Sequence, residues 1–464
     1  MTTALDPIWR AAGLPDDTLQ HLVLTGAEPA LPSSFAVGSA AQTALAAAAL
    51  AAAEIGHRRN GLRQRVRVDM RRAVLECFGR FTIDGRTPQV WDQLAGLYPC
   101  GAGGRDGWVR LHTNFAHHRD GALRLLGLPP GPNTPRDAVA AALRAWNAFD
   151  FEDAAANAGA VVAAVRSFDE WDHHPQRAAV AQRPLVAFEK IGEGPPLALP
   201  ALAREARPLQ GLRVLDLTRI LAGPVGGRTL AAYGADVMLV NAPHLPNIES
   251  IIETSRGKLS ALADLREAAG REALHGVLRD AHVFVQGYRP GALAAFGFGP
   301  ADVAASRPGI VVVSLSAYGD AGPWAGRRGF DSLVQTATGF NHAEARAAGS
   351  AQPKPLPVQI LDIASGLLIA FGAQAALLRQ QSEGGSWHVR VSLARTAQWL
   401  RELGRIEAGF TAPPPDFGGL LETSTSGYGE LTAMPHVAEF SHTPPAWSRP
   451  SVPPGTNPLA WPRP

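Results

Sequence analysis

Lysine is almost absent from this chain. Of its 43 basic residues only Lys190, Lys258 and Lys354 are lysines, the rest being arginines. Acidic residues nearly balance them, leaving a formal charge of +2, so no basic excess points to a nucleic-acid partner. Cysteine is equally scarce. Cys77 and Cys100 stand outside any CxxC pattern, which excludes a disulfide framework. The alanine-rich run 44–55 carries Glu54 and falls short of the roughly 20 apolar residues needed to span a bilayer. The opening MTTALDPIWR has no apolar signal core. These absences lead us to expect a cytoplasmic protein with neither a membrane nor a nucleic-acid partner.

What is present is globular. Hydrophobic residues make up 46% of the 464 and charged residues 18%, enough to bury a sizeable core. The length suits two domains with connectors. An internal repeat shows as well. Segment 65–70 reads RVRVDM and segment 388–393 reads HVRVSL, an offset of 323. Each follows an alanine-rich helical stretch (40–57 and 363–379) and a glycine turn, and each leads into a second helix (71–80 and 394–405). Leu31-Pro32 matches Leu356-Pro357 at an offset of 325. Asp362 heads the second long helix, whereas the matching Val37-Gly38-Ser39 carries no carboxylate.

Between the copies, 86–205 mixes short strands (108–112) with a helix predicted over 136–149 and ends in a proline-rich linker. Segment 209–318 then alternates strand and helix. Strands are predicted at 212–218, 236–241, 283–288 and 310–316, and helices at 225–233 and 266–279. Apolar strands alternating with helices predict an α/β fold, a Rossmann-like parallel sheet with flanking helices, alongside a smaller α+β domain. From residue 409 onward the abundance of Pro, Ser and Thr reads as a loose tail.

The chemistry in this pattern is selective. After the first strand the chain reads RILAGPVGG rather than GxGxxG, and the second strand ends in Asn241 where a dinucleotide site places a carboxylate. An NAD site is therefore not expected. The histidines at 112, 117–118 and 173–174 lack a metal-ligand spacing and are expected at the surface or as caps, with no metal bound. A GxSxG elbow is missing. Asp362 has two readings. It is a favoured type near a helix N-terminus, and it is also a carboxylate at the positive end of a helix beside the sheet, available as a nucleophile.

Segment 209–399 resembles the family III CoA-transferases, the CaiB/BaiF group. The likeness is carried by LQGLRVLDLTRILAGPVGGRTLAAYGADVMLV, TSRGKLSALADL, VFVQGYRPGALAAFGF, VVVSLSAYGDAGPWAGRRGFDSLVQTATGF and LPVQILDIASGLLIAFGAQAALL, in that order. Residues 106–112 with 119–126, then 161–176, resemble the family's small domain and the segment after it, and 418–454 its closing segment. The resemblance divides the chain into 1–85, a degenerate copy of the mid-segment; 86–205, small domain and linker; 206–405, the Rossmann-like domain; and 406–464, the closing segment. It makes the proline-rich end more than a loose tail.

The resemblance implies a ping-pong transfer of coenzyme A from an acyl-CoA to a carboxylic acid, with Asp362 as nucleophile. It implies no permanently bound cofactor, only the thioester as substrate, and an interlocked homodimer. By motif, coenzyme A is expected against Arg219, Ile220, Leu221 and Ala222, against Gln286, Gly287 and Tyr288, and against the cations Arg256, Lys258, Arg266 and Arg328. Gly101, Gly103 and Gly104 fall near the family's glycine lid. Leu239, Asn241 and Ala295 depart from its pattern on the nucleotide side. In the related racemases a histidine precedes the aspartate of a G-H-D motif; here the motif is Gly329-Phe330-Asp331, which argues against proton shuttling and for a structural Asp331. The rival reading is a non-catalytic CoA-binding or subunit protein, motivated by the rearranged order.

Overall fold

The computed structural model describes residues 3–462. Walking the chain, we label strands β1 (Leu22–Thr25), β2 (Val66–Asp69), β3 (Gly96–Pro99), β4 (Trp108–Leu111), β5 (Val162–Ala164), β6 (Ala187–Gly192), β7 (Arg213–Leu217), β8 (Asp236–Asn241), β9 (Lys258–Leu262), β10 (Val283–Gln286), β11 (Val311–Ser316) and β12 (Ser386–Ser392). The helices used below are α1 (Val37–Asn60), α2 (Met70–Glu76), α3 (Ala222–Ala232), α4 (Asp331–Ala337) and α5 (Ile360–Glu383).

The main sheet is mixed α/β, with seven strands in the order β9-β8-β7-β10-β11-β12-β6. All neighbours run parallel except β6, which closes the edge antiparallel to β12. Its central strands read as continuous apolar runs because helices cover both faces, and Val214, Val237, Phe284 and Val312 are buried accordingly. Strand order reverses between β7 and β10. Loops leaving the carboxyl ends of these two strands diverge to opposite faces and leave a crevice between them, the usual ligand position in such sheets.

A smaller antiparallel sheet, β3-β4-β5, carries its own apolar cluster around Val109, Phe151 and Val162. The single helix predicted over 136–149 is two, Arg136–Leu143 and Ala148–Asn157. The break comes where the Asn147 side chain accepts from the backbone N–H of Phe149 at 2.9 Å and starts the second helix. The loose tail expected from composition is also corrected. Glu422–Ser426 pairs with Gly429–Ala433, which pairs in turn with Phe81–Ile83, and Leu431, Met434, Val437 and Phe440 are buried. Apolar side chains spaced three residues apart anchor this stretch despite its Pro and Ser content.

α1 and α5 are both 24-residue helices and they pack on each other. The residues before them have nearly the same backbone, Ala36 at φ −75, ψ 58 and Gln359 at φ −78, ψ 61. The Gln374 side chain bridges them, donating to the Ala48 carbonyl at 3.1 Å. Their starts are also held alike. The N–H of Asp362 donates to Asp331 Oδ2 at 2.9 Å, and the N–H of Ser39 donates to Glu28 Oε1 at 2.7 Å. By length and composition α5 is able to cross a membrane, but here it is the core helix, buried almost throughout.

Candidate active site

Two glycines bring α3 and α5 into contact. A Cβ on Gly366 would lie 2.4 Å from the Ala222 carbonyl oxygen, and one on Gly226 would lie 2.8 Å from Ile369 Cγ2. The first turns of the two helices therefore meet at the crevice between β7 and β10. There a cavity of about 340 Å³ opens. Arg219, Ile220, Leu221 and Ala222 form one wall, and Gly287, Tyr288 and Arg289 another. Leu315 to Ala317 continue it from β11, Arg327, Arg328 and Phe330 come next, and Asp362 faces in from α5. Phe115, His117 and His118 close the space from the segment after β4.

Asp362 is 8% exposed. Its environment is electrostatically unusual. Asp331, fully buried at the head of α4, accepts from the Asp362 N–H and, through Oδ1, from Gln335 Nε2 at 2.5 Å. Gln335 also accepts from the Leu356 N–H at 3.0 Å, so Asp331 and Gln335 together pin the segment leading to the carboxylate. Burial pushes the Asp331 carboxyl up to about 7, partly offset by these hydrogen bonds and by the buried Arg110. Burial raises Asp362 well above the ordinary carboxylate range, and the neighbouring charge of Asp331 raises it further. The two acids share a low-dielectric site that disfavours both being ionised at once. An ionised Asp362 has lost its water shell and, among the described residues, gained no cationic side chain in exchange, which strengthens it as a nucleophile.

Ile220 carries a φ of +77°, a conformation that costs a β-branched residue on the order of 1–3 kcal/mol. Such strain persists only where packing imposes it, here in the cavity wall. No pattern in the sequence announces it.

Of the expected ligand contacts, Arg219, Ile220, Leu221, Ala222, Gly287, Tyr288 and Arg328 line the cavity together with Asp362. Two cations require correction. Lys258 has a fully buried side chain, with Nζ 2.8 Å from Asp216 Oδ2 and 2.8 Å from the Pro224 carbonyl. Arg256 is buried against Trp447, its guanidinium 3.8 Å from the ring centroid, bonded to Glu253 and to the Met434 carbonyl. Both charges are neutralised inside the protein, so neither reaches a ligand in the cavity.

Three further expectations fall outside the cavity walls. Arg266 lies on the surface and pairs with Asp264. Gln286 turns to a neighbouring smaller cavity, donating to Ser314 Oγ at 2.9 Å. Gly101, Gly103 and Gly104 form a turn packed near Asp106 and Trp108. The histidine expectation divides. His173 is exposed and His174 accepts from the Gln176 N–H as a helix cap, but His112 and His118 are buried rather than superficial. Phe115, His117, His118, Arg289 and Arg327 line the cavity although no sequence motif places them there. Arg289 adjoins Tyr288, which was the available signal; the residues at 115–118 reach the cavity only through the tertiary fold.

A Rossmann-like sheet with a buried carboxylate at its switch point defines the class: an α/β protein with an acidic candidate nucleophile. Residues 209–429, just under half of the chain, match the model of CoA-transferase family III. The chain is 30% identical over 230 residues to Rv3272 of Mycobacterium tuberculosis, named a probable fatty acyl-CoA transferase, covering 45% of this chain and 58% of that protein. It is 31% identical to a succinate–glutarate CoA-transferase of Agrobacterium fabrum, covering 40% of this chain and 51% of the relative. A solved structure of a CAIB/BAIF family protein from Brucella suis aligns at 26% identity and a TM-score of 0.38, covering 48% of this chain and 65% of that one. The chain thus spans between half and two thirds of the length of these relatives.

Proposed function

We propose that this protein transfers coenzyme A between carboxylic acids, with Asp362 as the nucleophile. The observation that carries the reading is the Asp362 carboxylate itself: buried, without a cationic partner among the described residues, and facing a cavity walled by the segments that the resemblance assigns to coenzyme A. Relatives named as CoA-transferases support the class of reaction.

A carboxylate oxygen of Asp362 attacks the thioester carbonyl carbon, and the C–S bond breaks to release the CoA thiolate and an aspartyl–acyl anhydride. The thiolate attacks the aspartyl carbonyl of that anhydride, expelling the first acid and leaving an aspartyl-CoA thioester. The acceptor carboxylate then attacks the thioester carbonyl and frees the thiolate again. That thiolate attacks the acceptor's acyl carbon in the new anhydride, restoring Asp362. Each anhydride must be kept from water, and the enclosure by Phe115, His118 and Phe330 serves that end. Arg219, Arg289 and Arg328 at the wall give the phosphates of the CoA moiety their countercharge.

Intact mass spectrometry after incubation with a panel of acyl-CoAs, with hydroxylamine trapping, tests this. The expected result is a CoA or hydroxamate adduct on the native chain that Asp362→Asn lacks. CoA binding without an adduct from any donor would replace the transferase with a non-catalytic CoA-binding protein.

A further inference from the structure

The wall beside the reacting carboxylate is made of rings. Phe330 immediately precedes Asp331, whose carboxylate holds the Asp362 backbone, so its ring borders the site of acyl transfer. His112 lies flat on one side of it, centroids 3.8 Å apart and planes 7° apart. Phe115 stands 6.2 Å from Phe330, and His118 meets Phe115 edge-on at 5.5 Å. Burial pushes both His112 and His118 down to about 3, so this wall is uncharged at neutral pH.

Of the cations that share the cavity, Arg219, Arg289 and Arg328 face the CoA phosphates in the reading above, which leaves none assigned to the acyl group. Arg219 lies 5.7 Å over the Phe115 ring and donates to the Pro246 carbonyl. Arg327 lies 4.3 Å over Trp324 and 3.7 Å from Glu152. Arg328 is exposed and extends toward Gly159. A second carboxylate on the acyl group would be buried among neutral rings, next to two acids and without a partner, which is a costly arrangement. A flat apolar group there finds faces and edges to pack on.

Resting on the transferase reading, we propose that the acid this site accepts is a ring-bearing apolar monocarboxylate, and that dicarboxylates are rejected. The probes are phenylacetate and succinate with the full chain. Binding is read by saturation-transfer NMR in the presence of CoA, and transfer by the mass of the new thioester. Phenylacetate is expected to exceed succinate at least about 100-fold. Phe330→Leu is expected to lower phenylacetate about tenfold while sparing hexanoate, and His118→Arg to raise succinate by supplying the missing cation. Succinate within tenfold of phenylacetate overturns the proposal, as does failure of both acids to bind. If no donor leaves an adduct on Asp362, the transferase reading falls by itself, and the binding preference alone still decides between the two acids.

Discussion

Replacing Lys258 by methionine separates a ligand from a structural counter-ion. Lys258 and Asp216 have no side-chain exposure and meet at 2.8 Å. Asp216 also accepts from the N–H of Thr218 at 3.1 Å and from its hydroxyl at 2.5 Å, so the pair fixes the start of the loop that becomes the cavity wall. Lys258→Met leaves a buried carboxylate without its cation, a change that costs about 3–5 kcal/mol, or two to nearly four orders of magnitude in the folded-to-unfolded ratio. Adding Asp216→Asn removes the stranded charge but keeps an acceptor for Thr218, and the double variant regains most of the loss. Urea unfolding of the native chain, both single variants and the double variant measures the coupling, with CoA affinity measured in parallel on each. A Lys258→Met chain as stable as the native one, yet with CoA affinity reduced tenfold or more, would refute the argument and return Lys258 to the ligand site.

Three other outcomes are expected. Asp331, raised to about 7 from 3.8, favours folding below about pH 4 and loses that contribution as pH rises through 7, so Asp331→Asn gains stability relative to the native chain across this window. The same variant removes the like charge beside Asp362 and moves the acid limb of the transfer rate to lower pH; a limb that moves up contradicts the pairing. Burial pushes His436, like His112 and His118, to about 3 from 6.5, so unfolding takes up protons and stability falls as pH drops below 6.5. His436→Gln removes one proton from that slope in a series of urea midpoints, and an unchanged slope would show that His436 is not held neutral. A Cβ on Gly227 would lie 2.1 Å from Asp216 Oδ2, whereas one on Gly276 meets nothing within 4 Å. Gly227→Ala is expected to cost at least about 1–3 kcal/mol and Gly276→Ala to gain about 0.5–1 kcal/mol, so equal effects in a denaturation assay would count against the packing argument.

The parallel sheet was legible because its strands are unbroken apolar runs, which only a strand covered on both faces requires. Asp362 stood out through the resemblance, since an acid near a helix N-terminus is by itself an ordinary capping residue. Lys258 and Arg256 misled because a cation in a ligand-like motif has the same sequence signature whether its partner is a phosphate or a buried acid. A clue lay in the strand LRVLDLT: Asp216, an acid inside an apolar strand, demands a countercharge, and the chain supplies it 42 residues later. The ring wall around His112, Phe115 and His118 was not legible, because it reaches Asp362 only when two distant segments dock. The ordered closing segment was hidden by its composition, since the apolar residues that anchor it are few and spaced three apart.

The paired long helices have a consequence for how the protein tolerates change. At equivalent turns one helix presents Asp362 against Asp331, and the other presents Ser39 against Glu28. The acid that holds the helix start persists in both, while the acid that faces a ligand cavity occurs in one. Substitutions in the first helix therefore act on the second through the contacts between them, such as Gln374 on Ala48. Since a covalent tether keeps the two helices at high effective concentration, that influence does not weaken when the protein is scarce. Half of the pair is thus free to drift in sequence so long as it preserves a shape.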